Sequence, residues 1–224
     1  MRTVGIIGGL GPETTAHFCL EIIKQYEEAG ASSRPPILMW NVPLQLEIER
    51  DLILRSKGEE RYVPLLIEAA QRLERGGADF LVMPCNSLHI FIRQIRDSVS
   101  IPVLSIVDTA CEHLKKRHLS KVGILATATT VRSGMFQRAF NAAGIEPVLP
   151  AAPDQDLLAR IILKIIEGKS GPTERKELEE IIRRMEINTI LLACTDLQLL
   201  FQGKEEIQVI DTMQVLAGAV VNEL

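Results

Sequence analysis

Short apolar runs alternate along the chain with longer stretches in which apolar residues recur every three to four positions. The runs at residues 3–8, 36–41, 79–84, 101–106, 121–126, 145–149, 188–193 and 207–210 predict β-strands. Between them, Val63, Leu66, Ile67, Ala70 and Leu73 share one face of a helix, which Gly76-Gly77 should end because glycine accepts the left-handed turn beyond a helix. Leu178, Ile181, Ile182 and Met185 mark a second such face, with Thr173 placed to cap the N-terminus. Strands alternating with amphipathic helices predict an α/β fold of mainly parallel sheets flanked by helices.

The chain also echoes itself. Val4-Gly5-Ile6-Ile7 resembles Val122-Gly123-Ile124-Leu125, and each segment opens one half. Each half then reaches an apolar strand ending in cysteine. In the first it is Phe80-Leu81-Val82-Met83-Pro84-Cys85, followed by Asn86-Ser87. In the second it is Ile190-Leu191-Leu192-Ala193-Cys194, followed by Thr195-Asp196. Matching cysteine positions favour duplication over a chance likeness between βα units. Two similar domains related by a pseudo-twofold axis are therefore expected, with a cleft between them. The turn after Arg96 is the expected crossover, and a strand and helix from about residue 207 are expected to return to the first half. The expected domains are then 1–98 plus 206–224, and 99–205.

Composition narrows the function classes. With 46% apolar and 24% charged residues, the 224-residue chain is of ordinary globular type. A net charge of −4 argues against a general nucleic-acid binder, and Lys115-Lys116-Arg117 and Arg183-Arg184 read as exposed helix ends. No apolar stretch approaches the roughly 18–20 residues that a membrane helix needs. The N-terminus runs directly into the first strand, without the look of a signal peptide. Cys19, Cys85, Cys111 and Cys194 contain no C-x-x-C pair and suggest neither a disulfide framework nor a zinc site. A reducing cytoplasm is the expected location.

A strand that feeds a helix puts the intervening residues at the carboxyl edge of a parallel sheet, where open α/β folds bind ligands. Asn86, Ser87, Thr195 and Asp196 are residue types that cap helices. A thiol beside such an N-terminus meets exposed N–H groups and the positive helix end, both of which favour the thiolate. The same N–H groups can hold a carboxylate. Two thiols facing each other across a cleft suit inversion at carbon, one taking a proton and the other returning one. The plainer alternative is that buried cysteine merely fills a core. Cys19 and Cys111, on predicted helices, are read that way.

These residues resemble the aspartate/glutamate racemase superfamily, and its aspartate racemase branch in particular. The resemblance rests on Gly5-Ile6-Ile7-Gly8-Gly9-Leu10-Gly11-Pro12-Glu13-Thr14-Thr15, on Met83-Pro84-Cys85-Asn86-Ser87-Leu88-His89 and on Cys194-Thr195-Asp196. It extends through Gly76-Gly77-Ala78-Asp79 and Leu125-Ala126-Thr127 over essentially the whole chain. It implies a homodimeric, two-domain enzyme that works without pyridoxal phosphate or metal on a small amino acid or dicarboxylate, aspartate or glutamate first. By the same likeness Cys85 and Cys194 are the proton-transfer pair. Asn86, Ser87 and Thr195 would hold the α-carboxylate, and Leu10 and Thr127 would line the cleft.

Three positions depart from the branch. Ala193 and Asp196 stand where glycine and glutamate are usual around the second cysteine. The usual arginine segment after the second strand is replaced by Val42-Pro43-Leu44-Gln45-Leu46-Glu47-Ile48-Glu49-Arg50, leaving Arg50 as a displaced candidate for a side-chain carboxylate. Glu167 stands where a lysine sometimes occurs, with Lys164 one turn earlier. Maleate isomerisation through one nucleophilic cysteine, hydantoin racemisation, and non-catalytic binding of an acidic metabolite are the alternative functions. Facing thiols would also admit a disulfide if close enough. The turn Gly8-Gly9-Leu10-Gly11 fits no dinucleotide or phosphate-loop pattern, and no G-x-S-x-G hydrolase motif occurs. His89, four residues after Cys85, is read either as a thiol-tuning group or as a hydrogen-bonded structural residue; His17, His113 and His118 show no metal-ligand pattern.

Overall fold

Two parallel sheets carry the chain. The computed structural model describes residues 1–45, 48, 58–201, 203 and 206–224. The first half contains β1 (Val4–Gly8), α1 (Pro12–Glu28), β2 (Ile37–Asn41), α2 (Val63–Arg75), β3 (Phe80–Val82) and α3 (Ile92–Asp97). After α4 (Ile106–Lys116) come β4 (Lys121–Ala126), α5 (Ala128–Ser133), α6 (Met135–Ala142), β5 (Glu146–Val148), α7 (Ala152–Ile166), α8 (Pro172–Arg184) and β6 (Thr189–Ala193). β7 (Gln208–Asp211) and α9 (Thr212–Glu223) close the chain.

The strand orders are β2-β1-β3 and β5-β4-β6-β7. Apart from β7 they are equivalent, with β1, β2 and β3 corresponding to β4, β5 and β6. The glycines of the sequence echo occupy matching places. Gly5 is in register with Leu81 on β3, and Gly123 with Ile190 on β6. A Cβ on Gly5 would lie 2.6 Å from Leu81 Cδ2, and one on Gly123 would lie 2.6 Å from Ile190 Cδ1. Each glycine thus lets its strand pack closely under the element preceding the next strand.

Side-chain alternation divides the interior. Val4, Ile6, Phe80 and Val82 of the first sheet share one core with Val122, Ile124, Ala126 and Ile210 of the second, joined by α1, α4, α6 and α9. The opposite face of the first sheet, with Ile7, Leu81 and Met83, packs on α2. The opposite face of the second, with Leu125, Ile190 and Leu192, packs on α7 and α8. Full burial of such side chains contributes about 1.5–3 kcal/mol each, so the shared core holds the two sheets together.

Most expected elements form within a residue or two of their predicted bounds. Gly76 ends α2, and Gly77 follows in the left-handed region at φ 95°. The run at 101–106 is a correction. Only Val103 bridges to Leu81, because Ser105 accepts a hydrogen bond from Asp108 N–H and starts α4 immediately. Thr173 does not cap α8 either: Pro172, with its preset φ, begins the helix, and Glu174 accepts from Gly171 N–H at 2.8 Å. The segment from residue 207 splits, its strand pairing with β6 in the second sheet while α9 packs against both α1 and α4. Among the described residues no helix is long and apolar enough to cross a membrane.

Candidate active site

Each sheet reverses its strand order beside its first strand, which opens a crevice at the carboxyl ends of β1 and β3 and another at β4 and β6. The two crevices meet in one cavity. Leu10 enters it from after β1, Cys85, Asn86 and Ser87 from after β3, Thr127 from after β4, and Cys194, Thr195 and Asp196 from after β6. Both cysteines therefore reach the same space from equivalent strand ends. Arg50 lies outside the described residues.

Three groups of hydrogen bonds tie the halves together around this cavity. Thr14 Oγ1 donates to Asp196 Oδ1 at 2.5 Å. Ser87 and Thr127 share a 2.8 Å hydroxyl pair, and Thr130 Oγ1 lies 3.1 Å from Thr127 Oγ1 and 3.3 Å from Ser87 Oγ. Asn86 Nδ2 donates to Thr212 Oγ1 at 3.0 Å, and that hydroxyl donates to Leu192 O at 2.8 Å. Because Thr212 spends its proton on the carbonyl, it can only accept from Asn86, which fixes the amide's orientation. Asn86 Oδ1 is left buried without a hydrogen-bond partner among the described residues. A buried lone acceptor of this kind is uncommon.

The turn before α1 needs its glycines. Gly9 and Gly11 are left-handed, at φ 81° and 98°, and a Cβ on Gly9 would lie 2.7 Å from Val42 N. This geometry presents Leu10 to the cavity and brings Gly11 against Asp196, whose Oδ1 would lie 3.3 Å from an added Cβ.

The polar residues after the cysteines do not cap long helices as expected. Single 3₁₀ turns follow, Ser87–Phe91 and Thr195–Leu199, without side-chain caps. A short turn offers little dipole to a thiol. Burial instead pushes the Cys194 thiol well above its ordinary range, the Asp196 charge adds to that rise, and the Asp196 backbone N–H opposes it. The thiol donates to Asp196 Oδ2 over 3.8 Å. Burial also pushes the Asp196 carboxyl up, against the Thr14 hydrogen bond. Burial and the Asp196 charge thus both favour the protonated form of Cys194.

His89 is a hydrogen-bonded structural residue. Its Nε2 accepts from Ile106 N–H at 3.0 Å, so Nδ1 carries the proton and donates to Cys85 O at 2.7 Å. Burial lowers its pKa to about 4, which keeps the ring neutral. It ties the Cys85 backbone to the start of α4. Among the described residues no cluster of three potential metal-ligating side chains occurs. All four cysteines are outside disulfides. Cys111 donates to Ala139 O at 3.6 Å, as expected of a packing residue.

The remaining lining residues, Leu44, Tyr62, Leu88, Ile162 and Ile166, were not marked by the sequence. Leu44 follows β2 at the same sheet edge, which could have drawn attention to it. Ile162 and Ile166 continue the apolar stripe of α7 and carry no separate signal.

The sequence model of the Asp/Glu/hydantoin racemase family matches residues 7–220. The chain belongs to that family. It is 25% identical to the broad specificity amino-acid racemase RacX of Bacillus subtilis (strain 168), over 98% of this chain and 96% of the other. Among solved structures it resembles the Picrophilus torridus aspartate racemase, with a TM-score of 0.83, 25% identity, and coverage of 100% of this chain and 94% of the other. It also resembles an aspartate racemase homologue from Pyrococcus horikoshii, with a TM-score of 0.78, 27% identity, and coverage of 100% and 98%.

Proposed function

We propose that this chain is a cofactor-independent racemase that inverts the α-carbon of an amino acid by proton transfer between Cys85 and Cys194. The observation that carries the reading is the arrival of both cysteines in one cavity from equivalent strand ends. A substrate held between them meets a sulfur on each face. The Cys85 thiolate removes the α-proton from one face, and the Cys194 thiol delivers its own to the other. The product is the opposite enantiomer, with Cys85 now protonated and Cys194 a thiolate, ready for the reverse reaction. No proton is gained or lost overall.

The difficulty is the weak acidity of the α-carbon. Charge accumulates on the substrate carboxylate as the proton leaves, and donors aimed there lower the barrier. Ser87, Thr127 and Thr195, together with the backbone N–H groups after each cysteine, supply such donors. Asn86 Oδ1, a buried acceptor without a hydrogen-bond partner among the described residues, takes a hydrogen bond from the substrate ammonium. In this reading Asn86 serves the amine, where the family resemblance implies the carboxylate.

The reaction is tested by incubating each enantiomer of a panel of amino acids in deuterium oxide. Deuterium should enter the α-position with inversion. A panel in which no amino acid exchanges its α-proton would remove the proposal.

A further inference from the structure

We propose that Thr212 is a specificity-determining positioning residue, which makes this cavity read an amino group by fixing which end of the Asn86 amide meets the ligand. The inference rests on the racemase reading and adds to it a residue outside the described cavity lining. Thr212 is fully buried and opens α9. Its hydroxyl accepts from Asn86 Nδ2 at 3.0 Å and donates to Leu192 O at 2.8 Å. Asn86 follows the first cysteine, and Leu192 stands two residues before the second. One hydroxyl therefore joins the segments that carry both thiols.

The hydroxyl is held firmly in place. β7 runs in register with β6, with Asp211 beside Leu192, so the next residue reaches the Leu192 carbonyl. Asp211 caps α9 by accepting from Met213 N–H at 2.8 Å. Leu216, Ala217 and Val220 of the same helix sit in the core shared by the two sheets. The pairing of β7 with the second sheet is what gives Thr212 its contact with the strand leading to Cys194.

A primary amide offers an acceptor at one end and donors at the other, and a half-turn exchanges them at little torsional cost. Thr212 removes that freedom, because its single proton is committed to a carbonyl and it can only accept. With Nδ2 turned to Thr212, Oδ1 is the end that Asn86 presents to the cavity it lines. An ammonium, which has donors alone, matches an acceptor there. The carbonyl oxygen of a 2-oxo acid has lone pairs alone and meets Oδ1 as a second acceptor. Facing acceptors repel and leave buried polar groups unpaired, which is how a site rejects an analogue of similar size.

The test follows α-proton exchange in deuterium oxide for a panel of amino acids that includes alanine, leucine, aspartate and glutamate, using the intact protein. The 2-oxo acid matching the fastest-exchanging member serves as the inhibitor. Thr212→Val keeps the shape of the side chain and removes the hydroxyl, so the amide can turn to suit either ligand. The ratio of inhibitor Ki to substrate KM should fall about tenfold or more. Thr212→Ser keeps the hydroxyl and should restore the ratio of the unaltered protein, and a general loss of activity cancels in that ratio. An unchanged ratio in Thr212→Val, or a serine variant that behaves like the valine one, overturns this inference and leaves the racemase reading standing. A second measurement needs no variant: in the unaltered protein the Asn86 Nδ2 protons should exchange with solvent at least about tenfold more slowly than those of exposed Asn222. Equal rates overturn this inference as well. Absence of α-proton exchange across the whole panel overturns both.

Discussion

Asp196 Oδ2 lies 3.8 Å from Cys194 Sγ, while the other carboxylate oxygen takes a 2.5 Å hydrogen bond from Thr14. The carboxylate thus stands between the first half of the chain and the thiol of the second. Its charge raises the thiol pKa, in the same direction as burial, and stabilises the protonated donor. In Asp196→Asn that contribution disappears, so the Cys194 pKa falls. The alkaline limb of the kcat/KM profile, where this thiol loses its proton, should move to lower pH. Titration of thiolate ultraviolet absorbance should move the same way. An alkaline limb displaced upward would contradict the assigned role.

His89 and Asp211 oppose each other in the dependence of stability on pH. Burial lowers His89 to about 4, so the unfolded chain takes up its proton first and stability falls as pH drops from the ordinary 6.5 toward 4. Burial raises Asp211 from 3.8 to about 7, so the folded chain keeps that proton longer and stability falls as pH rises through this window. Over its full range the His89 effect is on the order of 3 kcal/mol and the Asp211 effect on the order of 4 kcal/mol. Between about pH 4 and 6.5 the two slopes should largely cancel. Asp211→Asn keeps an N-cap acceptor for Met213 N–H and should leave a protein that weakens on acidification. His89→Gln should leave one that weakens as pH rises. Thermal unfolding of both variants across this range checks the pair, and identical slopes would refute the assignment.

Gly5 and Gly123 share a topological position but not the same tolerance. At Gly5 an added methyl meets Leu81 Cδ2 at 2.6 Å and the fixed Ala78 Cβ at 2.8 Å. At Gly123 the nearest atoms, Ile190 Cδ1 at 2.6 Å and Met185 Cε at 2.9 Å, are the ends of flexible side chains. Overpacking costs about 1–3 kcal/mol, and Gly5→Ala should fall toward the upper end and Gly123→Ala toward the lower. Denaturant midpoints should rank them in that order.

Much of the scaffold was legible because each strand is an uninterrupted apolar run and each major helix carries a periodic face. The polar site was legible for a similar reason: Cys85-Asn86-Ser87 and Cys194-Thr195-Asp196 break those runs abruptly at sheet edges. What escaped the sequence depends on distant partners. Pairing of β7 with β6 is a choice among open edges that local pattern does not encode. The apolar cavity wall joins Leu44 and Tyr62 to Ile162 and Ile166, more than a hundred residues apart on average, and no local feature separates them from ordinary core. The direction of the Cys194 shift was also hidden, since the effect of burial outweighs a helix terminus that is only one 3₁₀ turn long.

Two-thiol proton transfer is tested most directly by following α-deuterium incorporation with separate enantiomers in Cys85→Ser and Cys194→Ser. Each variant keeps a competent base on one face only. Racemisation should fall by about 10²–10⁴-fold in both. Each should still exchange the α-proton of one enantiomer without inverting it, and the enantiomer should differ between the two variants. Exchange of the same enantiomer by both variants, or undiminished racemisation in either, would contradict the mechanism.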